Sequence, residues 1–583
     1  MNKTTVWAPE ASAVTCHVRP AGAGHPQTSV EMIKDSDGWW SAQGVRAGDD
    51  YAFEIDGEGP FPDPRSPWQP HGVHGFSRAF DASIHRWADG MWEGRDARGA
   101  VTYELHVGTF TPAGTLDAIV GRQLEDLAAR GIEMIELMPV AAFPGNRGWG
   151  YDGVSLYAVH EAYGGPAALQ RFVDAAHAQG IGVCLDVVYN HLGPDGNYLS
   201  QFGPYFTDAH ETPWGWAVNL DQAGARGARD FIIDNALRWF EDFHIDALRL
   251  DAVHALVDDS PTHILAELSE RTAALSQRVG RPLSLVAESD LNQPAMVTPV
   301  THGGLGMTAQ WADDVHHALH AYLTGETHGY YADFGSIEAL DKAYRKVFVH
   351  DGGVSTFRGK RWGAPVPDEM DRKRFVVFAS NHDQVGNRAL GDRPSSALSP
   401  GAQAASLALI LLSPFTPMLF MGEEYGETRP FMFFTDHDEP LGSAVSQGRM
   451  SEFAGHGWEE LYGGQVQVPD PQDRQTFLRS KLGPGLSAAG TNHAAIEEWM
   501  RSVMQARPFT LGEGAWKRHP VTVTEAAARQ VTMSGPVRVH ANLSDSPMRV
   551  QGKAFATFGD VTDAEGKLSL APDAVALVVA EEE

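Results

Sequence analysis

The run Ala247-Leu248-Arg249-Leu250-Asp251 is a short, largely apolar stretch that closes on a single acid. Two others repeat the arrangement, Leu285-Val286-Ala287-Glu288 and Phe378-Ala379-Ser380-Asn381-His382-Asp383. Each run is too short for a helix, and each carboxyl stands where a parallel-sheet enzyme carries catalytic groups, at the C-terminal end of a strand. One such acid is equally well explained as a helix N-cap or a solvated loop residue. Three of them, flanked by an arginine and histidines, are not independent accidents.

Working outward, similar runs occur at 102–107, 132–138, 181–187, 245–250, 283–288, 306–311, 374–380 and 417–421. Amphipathic segments at 116–130, 167–179, 230–243, 262–279 and 402–412 have the three- and four-residue apolar spacing of crossover helices. Eight strands is the number that closes a (β/α)8 TIM barrel. The periodicity supports alternation rather than closure, because an open doubly wound sheet has the same local pattern. The acids favour the barrel, in which groups from several strand ends converge on one mouth.

Residues 1–97 are dense in Gly, Pro and Trp, with alternating runs such as Tyr51-Ala52-Phe53-Glu54-Ile55, and read as an N-terminal β-sandwich. The α/β unit with its insertions occupies 98–508, and β-like runs such as Val537-Arg538-Val539 predict a C-terminal antiparallel β-domain over 509–583. The 583 residues are 43% hydrophobic and 21% charged, which suits a large core. A net charge of −30 repels a phosphate backbone and excludes nucleic acid as a partner held by a basic face. Two cysteines, Cys16 and Cys184, build neither a disulfide framework nor a four-cysteine zinc site and fit a reducing compartment. The N-terminus lacks a secretory apolar core and the longest apolar stretch, 404–412, is about half a membrane span, so a cytoplasmic protein without membrane contact is expected.

Several familiar motifs fail. Gly148-Trp149-Gly150-Tyr151-Asp152-Gly153 fits a dinucleotide fingerprint in letters, but its bulky residues crowd the turn and no helix opens after it. No P-loop and no H-E-x-x-H helix occurs, and His316, His317 and His320 read as a polar rim rather than a metal site.

The three acids fit glycoside hydrolysis, which needs one protonated carboxyl and one ionised carboxylate. Arg249, two residues before Asp251 on the same strand face, keeps that carboxylate ionised and marks it as the nucleophile. Glu288 is then the acid and later the base, and Asp383 orients ring hydroxyls. His191, His254 and His382 lie beyond the third, fourth and seventh strands and supply donors for hydroxyls. Tyr151, with Trp149 nearby, offers a ring face to a pyranose. A retaining pair of carboxyls stands roughly 5–5.5 Å apart and an inverting pair roughly 6.5–9.5 Å.

Taken in order, Asp186-Val187-Val188-Tyr189-Asn190-His191, Arg249-Leu250-Asp251-Ala252-Val253-His254, Val286-Ala287-Glu288-Ser289 and Asn381-His382-Asp383 resemble the four sequence regions of the α-amylase superfamily, glycoside hydrolase family 13. That resemblance implies the barrel, a retaining mechanism and the same three roles. Within the superfamily, Tyr103-Glu104-Leu105-His106-Val107-Gly108-Thr109-Phe110, Gln310-Trp311-Ala312-Asp313-Asp314-Val315 and Pro430-Phe431-Met432-Phe433-Phe434 are similar to the maltooligosyltrehalose trehalohydrolases, over about 100–480. The glycogen branching enzymes share several of these blocks.

The resemblance implies hydrolysis of the α-1,4 bond next to the terminal trehalose of a maltooligosaccharide. The mechanism needs no organic cofactor, and although Asn190 stands where some amylase relatives bind calcium, no additional acidic cluster commits the chain to a metal, so none is expected. The resemblance also implies a carbohydrate-binding-like N-terminal domain and a separate maltooligosyltrehalose synthase as supplier of substrate. Leaving-group subsites are expected from Trp216, Trp311, Asp313, Asp314, Phe357, Arg358 and Phe433, aromatic or polar residues near the barrel mouth. A branching transferase is the alternative, followed by a general amylase or a debranching enzyme; a catalytically dead glucan-binding barrel would lack one of the three acids. One departure from the family pattern follows Ser480-Lys481-Leu482, where Gly483-Pro484-Gly485 stands in place of a Trp, a local loop change.

Overall fold

The computed structural model describes residues 4–22, 26–453, 462, 464, 466–483, 492–564 and 566–581. The loop change expected at 484–485 lies outside the described residues. Eight strands close into a parallel barrel. They are β1 Thr102–Leu105, β2 Met134–Leu137, β3 Gly182–Val187, β4 Ala247–Leu250, β5 Ser284–Ala287, β6 Ala309–Trp311, β7 Phe375–Phe378 and β8 Thr416–Phe420. Each falls inside, or within one residue of, a run expected from the sequence.

Successive side chains of a strand alternate between the barrel interior and the helices outside. Leu248 and Leu250 of β4 accordingly join the large outer core, while Ala247 belongs to an inner cluster with Met134, Cys184, Val286, Ala309, Val376 and Met418. One alternation further along, the inner positions change from apolar to charged. The register sets Glu104 beside Glu136 and Asp186 beside Arg249. The C-terminal end of the barrel interior is therefore a polar floor.

The outer helices include α1 Arg122–Ala129, α2 Gly165–Ala178, α3 Ala225–Asp242, α4 Ile264–Val279, α5 Asp313–Thr324, α6 Ile337–Lys346 and α7 Pro400–Leu411. Helix α1 begins later than the expected 116, because Gly121 takes a left-handed φ of 87° that separates the preceding turns from it. Helices α5 and α6 were not among the expected crossovers. The polar rim expected of His316, His317 and His320 is a correction: α5 turns His316 and His320 inward. His316 Nδ1 lies 2.9 Å from the Ala379 carbonyl and its ring packs on Phe378, while His320 Nε2 lies 2.9 Å from Glu326.

On the N-terminal side, Thr4–Trp7, Trp39–Ala42 and Ile33–Lys34 form one antiparallel sheet, and Thr28–Glu31, Val14–Arg19, Asp50–Ile55 and Glu58–Phe61 a second, to which Ser77–Arg78 adds on Asp50–Ile55. A segment below the barrel then leads to β1. Asp89 and Asp246 clasp the two nitrogens of His177 at 2.9 Å each, His244 adds a 2.8 Å contact to Asp89, and Trp92 stacks on the His177 ring. The C-terminal residues form a five-stranded and a three-stranded antiparallel sheet.

Candidate active site

Asp251 is the first residue after β4, Glu288 the first after β5, and Asp383 lies in the short helix His382–Gly386 beyond β7. All three face the polar floor. Arg249, wholly buried, donates from Nη1 to Asp251 Oδ1 at 2.7 Å and to Asp186 at 2.8 and 3.0 Å. Burial raises the Asp186 carboxyl to about 6 against the pull of Arg249, so it is ionised at neutral pH. Arg249 thus stands between two acids and holds Asp251 by its Oδ1.

Immediately after Asp251 the backbone takes an unusual turn. Ala252 has φ 39° and ψ 49°, a left-handed conformation rarely adopted outside glycine, and its N–H donates to Glu288 Oε2 at 2.6 Å. One oxygen of Glu288 is thereby fixed as an acceptor, leaving Oε1 for the proton. Burial, with the charges of Asp251, Asp313 and Asp383 adding to it and Arg249 opposing, raises Glu288 to about 8. Asp251, held by Arg249, and Glu288, raised by burial, are thus two carboxyls in different environments, an arrangement compatible with a nucleophile and a general acid.

Asp383 is about half exposed, accepts from Asn387 Nδ2 at 3.1 Å and has Oδ2 3.5 Å from His382 Nε2. Its helix is capped by the Asn381 side chain, which accepts from the Gln384 N–H at 2.7 Å. Tyr151 donates to Asp186 at 2.5 Å and stacks on the His382 ring. Gly150 makes this approach possible: at φ 100°, a Cβ there would meet the Pro139 carbonyl oxygen at 2.4 Å. His191 donates from Nε2 to the Tyr151 carbonyl at 3.1 Å and accepts from Asn190 at Nδ1. His254 is exposed on the turn Val253–Ala255 beyond Asp251.

The expected loop residues divide. Asp313 opens α5 near the acids, and burial, with the Asp383 charge, raises it to about 7. Phe357 and Trp216 are solvent-exposed rings, and Arg358 pairs with Asp290 at 2.9 Å. Asp314 is turned away from the mouth, a correction, because its Oδ2 accepts from Asn292, Val349 N and His350 N and so holds a loop. Trp311 is also a correction: it is buried inside the barrel under the Arg249 guanidinium, 4.3 Å away. Phe433 packs edge-on against Trp149, which is itself buried, stacks on Phe431 and supports His382 rather than offering an open face.

Three residues at the site were not among the candidates. Glu104 and Asp186 each carry a charge in the middle of an otherwise apolar strand, a signal present in the sequence. Trp214 lies flat on His191, with ring centroids 4.4 Å apart and an interplanar angle of 3°, in the hairpin Phe206–Thr212 and Gly215–Val218. With Trp216, Asp152 and His191 it lines an open cavity of about 420 Å³. Among the described residues, His210, Asp221 and Asp259 bring ligand atoms within 4.8 Å of one another, but His210 and the Asp259 N–H already bond to Asp221. No helix among them is long and apolar enough to cross a membrane.

The pattern of the alpha amylase catalytic domain matches residues 76–219. The chain is 47% identical over 589 residues to a malto-oligosyltrehalose trehalohydrolase of Arthrobacter ramosus, with 98% of each chain covered. A 1,4-alpha-glucan branching enzyme of Vibrio parahaemolyticus is 32% identical over 353 residues, covering 52% of this chain and 45% of the relative. Among solved structures, a protein from Salmonella typhimurium assigned as an alpha amylase superposes with a TM-score of 0.86 at 35% identity, covering 99% of this chain and 97% of that one.

Proposed function

This chain belongs to the malto-oligosyltrehalose trehalohydrolase family, and on that premise we propose that it hydrolyses the α-1,4 bond joining a maltooligosaccharide to a terminal trehalose, with retention at the anomeric carbon. The observation that carries the chemistry is the pairing of Asp251, held by Arg249, with a buried Glu288 raised to about 8. Asp251 Oδ2 attacks C1 of the glucosyl unit while Glu288 passes its proton to the glycosidic oxygen, and trehalose leaves with that proton. Glu288, now a carboxylate, takes a proton from water as the water oxygen bonds to C1. The C1–Oδ2 bond breaks, Asp251 returns as a carboxylate and the maltooligosaccharide is freed. Asp383 and His382 hold ring hydroxyls most tightly as the ring approaches an oxocarbenium ion.

The reaction at Asp251 is common to any α-1,4-glucan, so preference for trehalose as leaving group comes from loops around the mouth. Asp313, Phe357, Arg358 and Trp216 remain free to serve there, with Asp290 fixing the Arg358 guanidinium. The same proposal divides the chain at 97/98 and 508/509, draws substrate from a separate synthase and sets both enzymes in the cytoplasm. The test is to incubate the protein separately with a maltooligosyltrehalose and with the plain maltooligosaccharide of equal length. Rapid trehalose release from the first with little cleavage of the second is expected. Equal cleavage of both would sink the trehalose reading. A branching transferase, favoured by the partial match to the branching enzyme, would instead add branches to amylose and release no trehalose.

A further inference from the structure

His382 is fully enclosed, and two of its N–H groups are committed before any substrate arrives. Its backbone N–H donates to Glu104 Oε2 at 2.9 Å and its Nδ1 donates to Glu104 Oε1 at 2.5 Å. Glu104 belongs to β1, 278 residues away and separated from β7 by β8 in the barrel order. Its side chain reaches across the barrel interior to the start of the helix that carries Asp383. Both carboxylate oxygens are used, so the ring cannot rotate or change tautomer without breaking a buried charge-assisted bond. Tyr151 stacks on one side of the ring and Trp149 meets it edge-on. The remaining nitrogen, Nε2, lies 3.5 Å from Asp383 Oδ2.

We infer that Glu104 is a positioning residue for the reaction: by binding the backbone N–H and Nδ1–H of His382 together, it holds the ring doubly protonated, with Nε2–H presented to Asp383 and to the sugar hydroxyl beside it. This rests on the assignment of Asp383 and His382 given above. The charges around the ring agree with it. Burial disfavours the imidazolium, but Asp383 and Glu104 outweigh it and raise His382 to about 9. Arg249 opposes, and Asp186 faces His382 with the opposite charge. His106, the other buried imidazole nearby, is pushed down by burial to about 3 and stays neutral. Glu136, level with Glu104 on the next strand, is raised by burial to about 8 and is neutral at pH 7, so it does not double the negative charge. In a substrate complex, the Nε2–H donor keeps Asp383 oriented and stabilises charge shifted onto the ring hydroxyl in the transition state.

The test is the pH profile of kcat/KM for Glu104→Gln on any α-1,4-glucan substrate that the wild-type enzyme cleaves. Glutamine keeps the shape but removes the charge, so His382 loses its proton at lower pH. In the wild type the alkaline limb follows Glu288, near 8. In the variant His382 deprotonates first, and the limb moves down by about one unit or more, with kcat at pH 7 lower on the order of 10²-fold. Glu104→Asp keeps the charge and should restore the limb in part. In a His382→Asn background, Glu104→Gln should cost little further. A uniform loss at every pH, or full additivity with His382→Asn, would overturn the inference and leave Glu104 as packing. If Glu104→Gln does not fold, the titration of His382 in the wild-type chain decides, followed by NMR of histidine labelled at Cε1 and assigned by its loss in His382→Asn. A value above about 8 supports the inference, and one near 6.5 overturns it. Product analysis of the wild type tests the trehalose reading separately, since neither readout depends on which glucan is cleaved.

Discussion

Arg249 Nη1 lies 2.7 Å from Asp251 Oδ1, and the guanidinium that makes this contact is also the counter-ion of Asp186, level with it on the neighbouring strand. One buried cation therefore has two duties, to hold Asp251 and to offset the charge of Asp186. Two substitutions separate these duties. Asp251→Asn should abolish turnover, by 10⁴-fold or on that order, while leaving the thermal midpoint close to wild type, because the side chain keeps its volume. Arg249→Met should lose activity and also cost about 3–5 kcal/mol of stability, since it leaves Asp186 as an uncompensated buried charge. Product formation and calorimetry on the two variants check this; full activity in Asp251→Asn would reject the nucleophile assignment.

In the proposed mechanism Glu288 must carry a proton to act as the acid, and burial raises its pKa to about 8. The group is active when protonated, so kcat/KM should fall as pH rises through about 8. Glu288→Gln should lose about 10²–10⁴-fold on natural glucans but much less on a substrate with a very good leaving group, which needs no proton. The alkaline fall near 8 on that substrate should be absent from the variant, leaving only the later fall set by His382 near 9. An equal loss on both substrates would point to another acid.

Trp216 is 68% exposed on its hairpin, and nothing in the core depends on it. Trp216→Ala should leave the thermal midpoint unchanged. If the ring stacks on a sugar, removing about 0.5–1.5 kcal/mol of contact raises KM roughly 2- to 10-fold with kcat little altered. An unchanged KM for both maltooligosyltrehalose and maltooligosaccharide would remove Trp216 from the substrate path.

Below the barrel, Asp89 is buried, which by itself would raise its pKa, yet hydrogen bonds from His177 and His244 win and hold it at about 2. A carboxyl with a lowered native pKa stabilises the fold above its ordinary value of about 4, and that contribution is lost as pH falls toward the native value. Asp89→Asn should therefore melt below wild type at pH 6, and the gap should close as the pH is lowered from about 4 toward 2. A gap that stays constant over that range would mean lost packing instead of lost charge. The His177 imidazole between Asp89 and Asp246 has its pKa raised despite burial, so its contribution is fully present below about 6.5 and lost as pH rises through the native value.

Much of the fold was legible because its signals are local. A barrel strand is a short apolar run, a crossover helix repeats its apolar residues every three or four positions, and an acid at the end of a strand is adjacent in sequence to the residues that place it. The eight strands and the position of Asp251, Glu288 and Asp383 at strand ends follow from such signals. Helix α1 was read too long because the break at Gly121 depends on one residue's φ. Trp311 and Asp314 were read as mouth residues because sequence shows polarity and aromaticity but not the direction of a side chain; register turned Trp311 into the barrel and the loop at 349–350 took up Asp314.

What the sequence determined by itself was the strand set, the alternation of layers and the chemical character of the acids, since these depend on neighbours a few residues apart. Which charges meet was settled only on folding. Closing the barrel set Arg249 against Asp186, gave the Glu288 oxygen an N–H from Ala252 and carried Glu104 across 278 residues to His382. Those contacts are made between separate strands and loops, in a low-dielectric interior where each unpaired charge would be costly, so protonation and geometry are fixed together only once the chain has folded.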